Sequence, residues 1–185
     1  MNFEKLLAGW RTKAEAKAYK TFEPTQEEKQ TLAHTGGDVL RRLPPAAGAC
    51  ALMSAVFAAR LQQSGLRHVY VAAGSLSVRG QLVFGDDLPF DGEKVFSESN
   101  SSWNGHAWIM FGPYVADISL FRTAYSQRSP TLLSTHVRQE FGEGRGLLMV
   151  RWADAPKSGL RYSPQYVLSD DQVAALTNGA SAILG

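Results

Sequence analysis

The chain has 185 residues and a mass of 20.2 kDa, long enough to bury a core as one domain. Its 19 basic and 17 acidic residues leave a formal charge of +2 with no basic stripe, which argues against a nucleic-acid partner. The single cysteine, Cys50, excludes an internal disulfide, so nothing points to an oxidising compartment.

Residues 1–20 mix charges and lack the apolar block followed by small residues that a secretory signal has. The longest uncharged apolar run, Leu43 to Ala59, contains two prolines and a glycine and falls short of the roughly 20 residues that span a bilayer. The expectation is a soluble cytoplasmic protein without a membrane partner.

In chain order, Phe3, Leu6, Leu7, Trp10, Ala14 and Ala18 recur at helical spacing and predict a helix over residues 3–20. Thr25 followed by Glu28 is a capping-box pattern that starts a second helix, which Gly36-Gly37 are expected to interrupt. Arg41-Arg42 and the lysines of the first helix are read as solvated helix faces. Pro44-Pro45 suit a helix start, and from Cys50 to Ser64 the residues are helix formers, apolar on nearly every side, with Gly65 as a C-terminal cap. A helix of that kind is buried at the centre of a fold.

The stretches RHVYVAAGSLSV, QLVFG, HAWIMFG and YVADISLF read as strands, with Arg79-Gly80 as a hairpin turn between the first two. Between them, Asp86 to Trp103 has the composition of a long loop, suited to a lid over a site. Further on, residues 128–146 predict a short helix ending in a glycine-rich turn, GLLMVRWA a strand, and the last residues a helix capped at Ser169. Helices first and then mainly antiparallel strands make an α+β class. The chain is divided into a helical segment 1–43, a core 44–120, and a C-terminal segment 121–185.

Cys50 stands at the start of the central helix, where unpaired N–H groups favour a thiolate and where the Cys50 amide can face the oxygen of a tetrahedral intermediate. Of the four histidines, only His106 comes with a carboxylate placed by the local pattern. If HAWIMF and YVADIS form a hairpin about Gly112-Pro113, Phe111 pairs with Tyr114, and His106 and Asp117 project from one face as diagonal neighbours. A loop one residue longer sends Asp117 to the opposite face. In the even register Asp117 orients the imidazole and His106 serves Cys50, a nucleophile–base–orienter set.

The order GACALMSAVFAARLQQSGLRHVYVAAGSLSV, a polar loop, then WNGHAWIMFGPYVADIS resembles the transglutaminase-like branch of the papain-like thiol enzymes. It is similar to the bacterial leader-peptide proteases of lasso-peptide biosynthesis in having Cys, then AHAW, then Asp. The resemblance covers residues 44–120 and implies a papain-like fold with Cys50, His106 and Asp117 as catalytic residues. It further implies hydrolysis of a peptide or small amide through a thioester, with no cofactor. The papain glutamine upstream of the cysteine is missing; Gln30, His34 and Asn104 are the candidates for the second oxyanion donor.

Trp103, Trp108 and Asn104 are the candidate substrate-binding residues, with core packing as the bland alternative for the tryptophans. His34, His68 and His136 lack metal-ligand spacing, so no metal site is expected. Three other functions stay open: transfer to an amine in place of water, a papain-like binding module with an unreactive Cys50, and a structural protein that oligomerises through its first helix.

Overall fold

The computed structural model describes residues 3–44, 48–86, 88, 90–97 and 103–184. The N-terminal stretch is two helices, α1 (Phe3–Trp10) and α2 (Lys13–Thr21), where the spacing predicts one. The break has a local cause. Thr12 is an N-cap whose hydroxyl accepts from the Glu15 amide while Glu15 reaches back to the Thr12 amide.

Thr25 and Glu28 make the same reciprocal cap at the start of α3 (Gln26–Arg42). Contrary to expectation, α3 runs straight through Gly36-Gly37. Gly36 is there for close approach, since a Cβ on it would lie 2.9 Å from Leu147 and 3.3 Å from Phe57. The central helix α4 spans Cys50–Gln63, and Gly65 follows it at φ +86°, as its cap position requires.

The strands are β1 (Val69–Val78), β2 (Gln81–Phe84), β3 (His106–Phe111), β4 (Tyr114–Asp117), β5 (Leu148–Arg151) and β6 (Leu160–Val167), all paired antiparallel. The remaining helices are α5 (Gly92–Ser97), α6 (Leu120–Tyr125), α7 (Thr131–Phe141) and α8 (Asp170–Leu184). This is an α+β architecture. Strand alternation splits the apolar residues between two faces. Tyr70, Ala72, Leu76, Trp108 and Met110 meet α1, α2, α6 and α7; Val69, Val71, Ala73, Ile109 and Phe111 meet α3, α4 and α8. Among the described residues, no helix is long and apolar enough to cross a membrane.

β1 organises the sheet. Along one edge it pairs with β6 over Ala72–Val78. Along the other it pairs first with β3, up to Gly74↔His106, and then with β2, from Leu76↔Phe84. One edge is thus shared end to end by two strands, and His106 sits at the junction.

β6 carries no strand expectation from the sequence, because Pro164 interrupts its pattern. In the fold Pro164 sits at a bulge, where the register slips between Ala73 and Gly74. Gly74 faces that bulge so closely that a Cβ would stand 2.1 Å from the Ser163 carbonyl oxygen. Gly74→Ala is therefore expected to destabilise the protein by about 3 kcal/mol, measured by urea unfolding, whereas Gly179→Ala, with nothing within 4 Å, leaves the midpoint unchanged or raises it.

Candidate active site

The β3–β4 turn has two residues, Gly112-Pro113, and Phe111 pairs with Tyr114, the even register on which the sequence argument depends. His106 and Asp117 consequently lie on one face, and His106 Nε2 meets Asp117 Oδ2 at 2.6 Å. Both are buried. The carboxylate is held on its other oxygen as well: Oδ1 accepts from the Ser119 amide (3.0 Å), the Ser119 hydroxyl (3.1 Å) and the Leu120 amide (2.9 Å). Those bonds turn the chain out of β4 into α6, so YVADISLF ends as a strand at Asp117 rather than continuing to Phe121. Tyr162 on β6 donates its hydroxyl to Oδ2 at 3.0 Å.

Cys50 reaches this pair from the other face of the sheet. Helix α4 packs on β3 through Ser54, one turn after Cys50, whose buried hydroxyl donates to the Ala107 carbonyl at 3.1 Å. That bond explains a polar residue in an otherwise apolar helix face. The start of α4 then overhangs the end of β3, with Cys50 Sγ 3.9 Å from the Gly105 carbonyl oxygen and Cys50 and His106 on the wall of one cavity. Nε2 is engaged by Asp117, which leaves Nδ1 as the ring nitrogen outside that pair.

The junction between β2 and β3 opens a cavity of about 320 Å³ onto Cys50 and His106. Val83 and Phe84 of β2, Trp103, Asn104 and Gly105 before β3, Ala51 of α4, and Thr123 of α6 form its walls. Phe84 stacks on the His106 ring, centroids 5.4 Å apart and planes 18° from parallel. The Trp103 ring folds back over Gly105, where a Cβ would stand 2.2 Å from it, which accounts for the glycine in WNGH.

Of the residues singled out from the sequence, Cys50, His106, Trp103 and Asn104 line the cavity, and Asp117 stands behind His106. Trp108 does not line it. Its ring is fully buried, donates to Met110 Sδ at 3.3 Å and packs against Tyr162 at 5.0 Å. Gln30 and His34 are exposed on α3 and are not among the cavity walls. The lid expected over Asp86 to Trp103 includes positions 87, 89 and 98–102, which lie outside the described residues. Its described part contains α5, with Phe90, Phe96 and Trp103 gathered on each other and Phe90 and Phe96 on Tyr166.

Phe84, Thr123 and Tyr162 escaped the sequence reading, since each comes from a separate element with no motif of its own. Arg122 escaped it too. Its guanidinium donates to the carbonyls of Leu40 and Leu43 (2.6 Å to Leu43), tying α6 to the end of α3 just before the segment leading to Cys50. Among the described residues there is no cluster of three His, Cys, Asp or Glu side chains suited to a metal ion.

The electrostatics follow from this packing. Burial opposes a charge on His106, but the Asp117 carboxylate and the Cys50 sulfur outweigh it and raise the imidazole from 6.5 to about 10. Burial likewise opposes ionised Asp117, and the His106 charge with the donors at Ser119 and Tyr162 overcomes it, lowering the group below 3.8. Tyr162 is raised well above 10 by its burial and by the neighbouring carboxylate, so it stays protonated as a donor.

These directions fix a pH dependence of stability. The raised His106 contributes stabilisation that is full below pH 6.5 and lost as pH rises through about 10. The lowered Asp117 contributes stabilisation present above pH 3.8 and lost as pH falls through its folded value. The melting temperature is expected to fall on both sides of a plateau near pH 4–6.5. In Asp117→Asn the alkaline decline should flatten; an unchanged decline would show that it arises elsewhere.

Comparison of the chain with protein-family models, with curated proteins and with solved structures found no match.

Proposed function

We propose that the protein is a cysteine-dependent acyl-transfer enzyme of papain-like, transglutaminase-like type, with Cys50 as nucleophile, His106 as acid and base, and Asp117 as orienter. The observation that carries this reading is one imidazole, buried between a cysteine at a helix start and a carboxylate 2.6 Å away, at the wall of a cavity. A buried imidazole whose charge is balanced on both sides suits proton transfer at fixed geometry.

The Cys50 thiolate attacks the carbonyl carbon of a peptide or small amide, forming the C–S bond and an oxyanion. The Cys50 amide at the start of α4 and the Asn104 side chain at the cavity wall are the candidate donors to that oxygen. Collapse of the intermediate breaks the C–N bond as His106 gives its Nδ1 proton to the departing amine. Water then attacks the thioester, His106 takes the water's proton, and Cys50 leaves as thiolate. The hydrolytic cycle needs no cofactor. An amine in place of water makes the same site a transferase.

The test is a panel of peptides and simple amides, followed by amine release and by acid-quench mass spectrometry. Turnover with an acyl adduct on Cys50, both absent in Cys50→Ala, is the expected result. Added primary amine captured in the product distinguishes transfer from hydrolysis. Turnover retained by Cys50→Ala overturns the assignment, and a panel with neither turnover nor adduct favours the papain-like binding module.

A further inference from the structure

Asp117 is held by more donors than orienting one imidazole requires. Oδ1 takes its three donors from residues two and three positions further along the chain, an arrangement that turns the chain into α6. Oδ2 is different. It receives the His106 Nε2–H at 2.6 Å and, from a strand 45 residues away in sequence, the Tyr162 hydroxyl at 3.0 Å.

Tyr162 is placed with as much definition as the residues it serves. On β1, Leu76 pairs with Phe84 across one edge and with Tyr162 across the other, so the two rings come to His106 from opposite sides of one strand. Phe84 stacks on the imidazole, and the Tyr162 ring lies 6.4 Å from it and 5.0 Å from Trp108. The Tyr162 backbone is pinned as well, its carbonyl accepting from Trp152 Nε1 at 2.9 Å. The ring is buried, so no bulk water competes for the bond.

We propose that Tyr162 is a positioning residue of this site: its hydroxyl, donated to Asp117 Oδ2, fixes the carboxylate and limits how strongly that oxygen holds the His106 proton. This inference rests on the reading of Cys50, His106 and Asp117 as the reacting set. A hydrogen bond to a carboxylate draws off charge and lowers its basicity. Without Tyr162, the Nε2–H of His106 becomes the single donor on Oδ2 and carries more of that charge. The imidazolium then becomes a weaker acid toward a departing amine. The groups facing His106 are Asp117 from β4 and Cys50 from α4, with Tyr162 acting from β6 through Asp117.

The test compares wild type, Tyr162→Phe and His106→Ala by the rate of Cys50 alkylation with iodoacetamide against pH. The wild-type profile should rise in two steps, the upper one marking loss of the His106 proton. In Tyr162→Phe that upper step should move up by about half a pH unit or more, and the His106 Nε2–H resonance should move downfield at pH 7. Replacing Tyr162 with 3-fluorotyrosine, a stronger donor of nearly the same shape, should shift both in the opposite sense. This second substitution decides the matter if Tyr162→Phe folds poorly. Neither readout moving in either variant overturns the role of Tyr162. A wild-type profile with one step, indifferent to His106→Ala, instead overturns the reading of Cys50 on which the inference rests, so the two failures are distinct.

Discussion

His106→Ala is expected to lower turnover by at least about 10³-fold, because in the proposed mechanism one group supplies both the proton to the leaving amine and the base for water. The fold should survive the change. Asp117 keeps its bonds from the Ser119 amide and hydroxyl, the Leu120 amide and the Tyr162 hydroxyl, so its charge is not left bare. Cys50→Ala should be equally inactive with a stability within about 0.5 kcal/mol of wild type, since the thiol is half-buried and makes a long, 3.9 Å contact to the Gly105 carbonyl. Turnover and urea midpoints on the same preparations check both statements. Inactivity accompanied by unfolding would leave a structural cause instead of a catalytic one.

Asp117→Ala should show the opposite balance, with stability falling by about 3–5 kcal/mol as the partner of a buried, hydrogen-bonded charge is removed. The loss strands the His106 ring, the Tyr162 hydroxyl and the amides that start α6. Asp117→Asn is gentler on the fold, because an amide oxygen still accepts from Ser119 and Leu120. It is costly to the proposed chemistry, since an NH₂ facing Nε2 forces the proton onto Nδ1, the nitrogen that mechanism assigns to Cys50. Turnover about 10²–10⁴-fold lower with a small change in urea midpoint is the expected outcome. Equal stability losses in the two variants would mean that the Oδ1 bonds matter less than the charge.

The parts of this site that the sequence makes legible are local. Cys50 at a helix start, and His106 and Asp117 across a two-residue turn, follow from spacing alone, because strand alternation and turn length determine which face each side chain takes. The same local rules find α3, α4, α7 and α8 and the strands β1 to β5. They also contain the Thr12–Glu15 box that divides the first helix, a signal that the apolar spacing across it conceals.

Long-range pairing is what local pattern does not carry. β6 is hidden by Pro164, and with it Tyr162 is hidden, although its pairing with β1 brings the hydroxyl to Asp117. Gly36 reads as a break and is a contact, which depends on Phe57 and Leu147 from other elements. Trp108 reads as a candidate cleft wall with core packing the commoner role for such a residue, and burial beside Tyr162 makes it core. His136, ambiguous in sequence, is a buried structural residue that accepts from Arg79 Nε at 3.0 Å and donates to the Ser158 carbonyl at 2.8 Å. Arg79 itself occupies the β1–β2 turn at φ +50° beside Gly80 at φ +79°, so this histidine holds a hairpin rather than a substrate.

The most direct measurement is the pH dependence of Cys50 alkylation by iodoacetamide in wild type and in His106→Ala. Alkylation that stays fast well below about pH 8.5, where a free thiol becomes reactive, and that slows when His106 is removed, is the expected result for a nucleophile paired with an imidazole. Slow alkylation of the folded protein, the same in both forms, would contradict it and leave Cys50 as packing at the start of a buried helix.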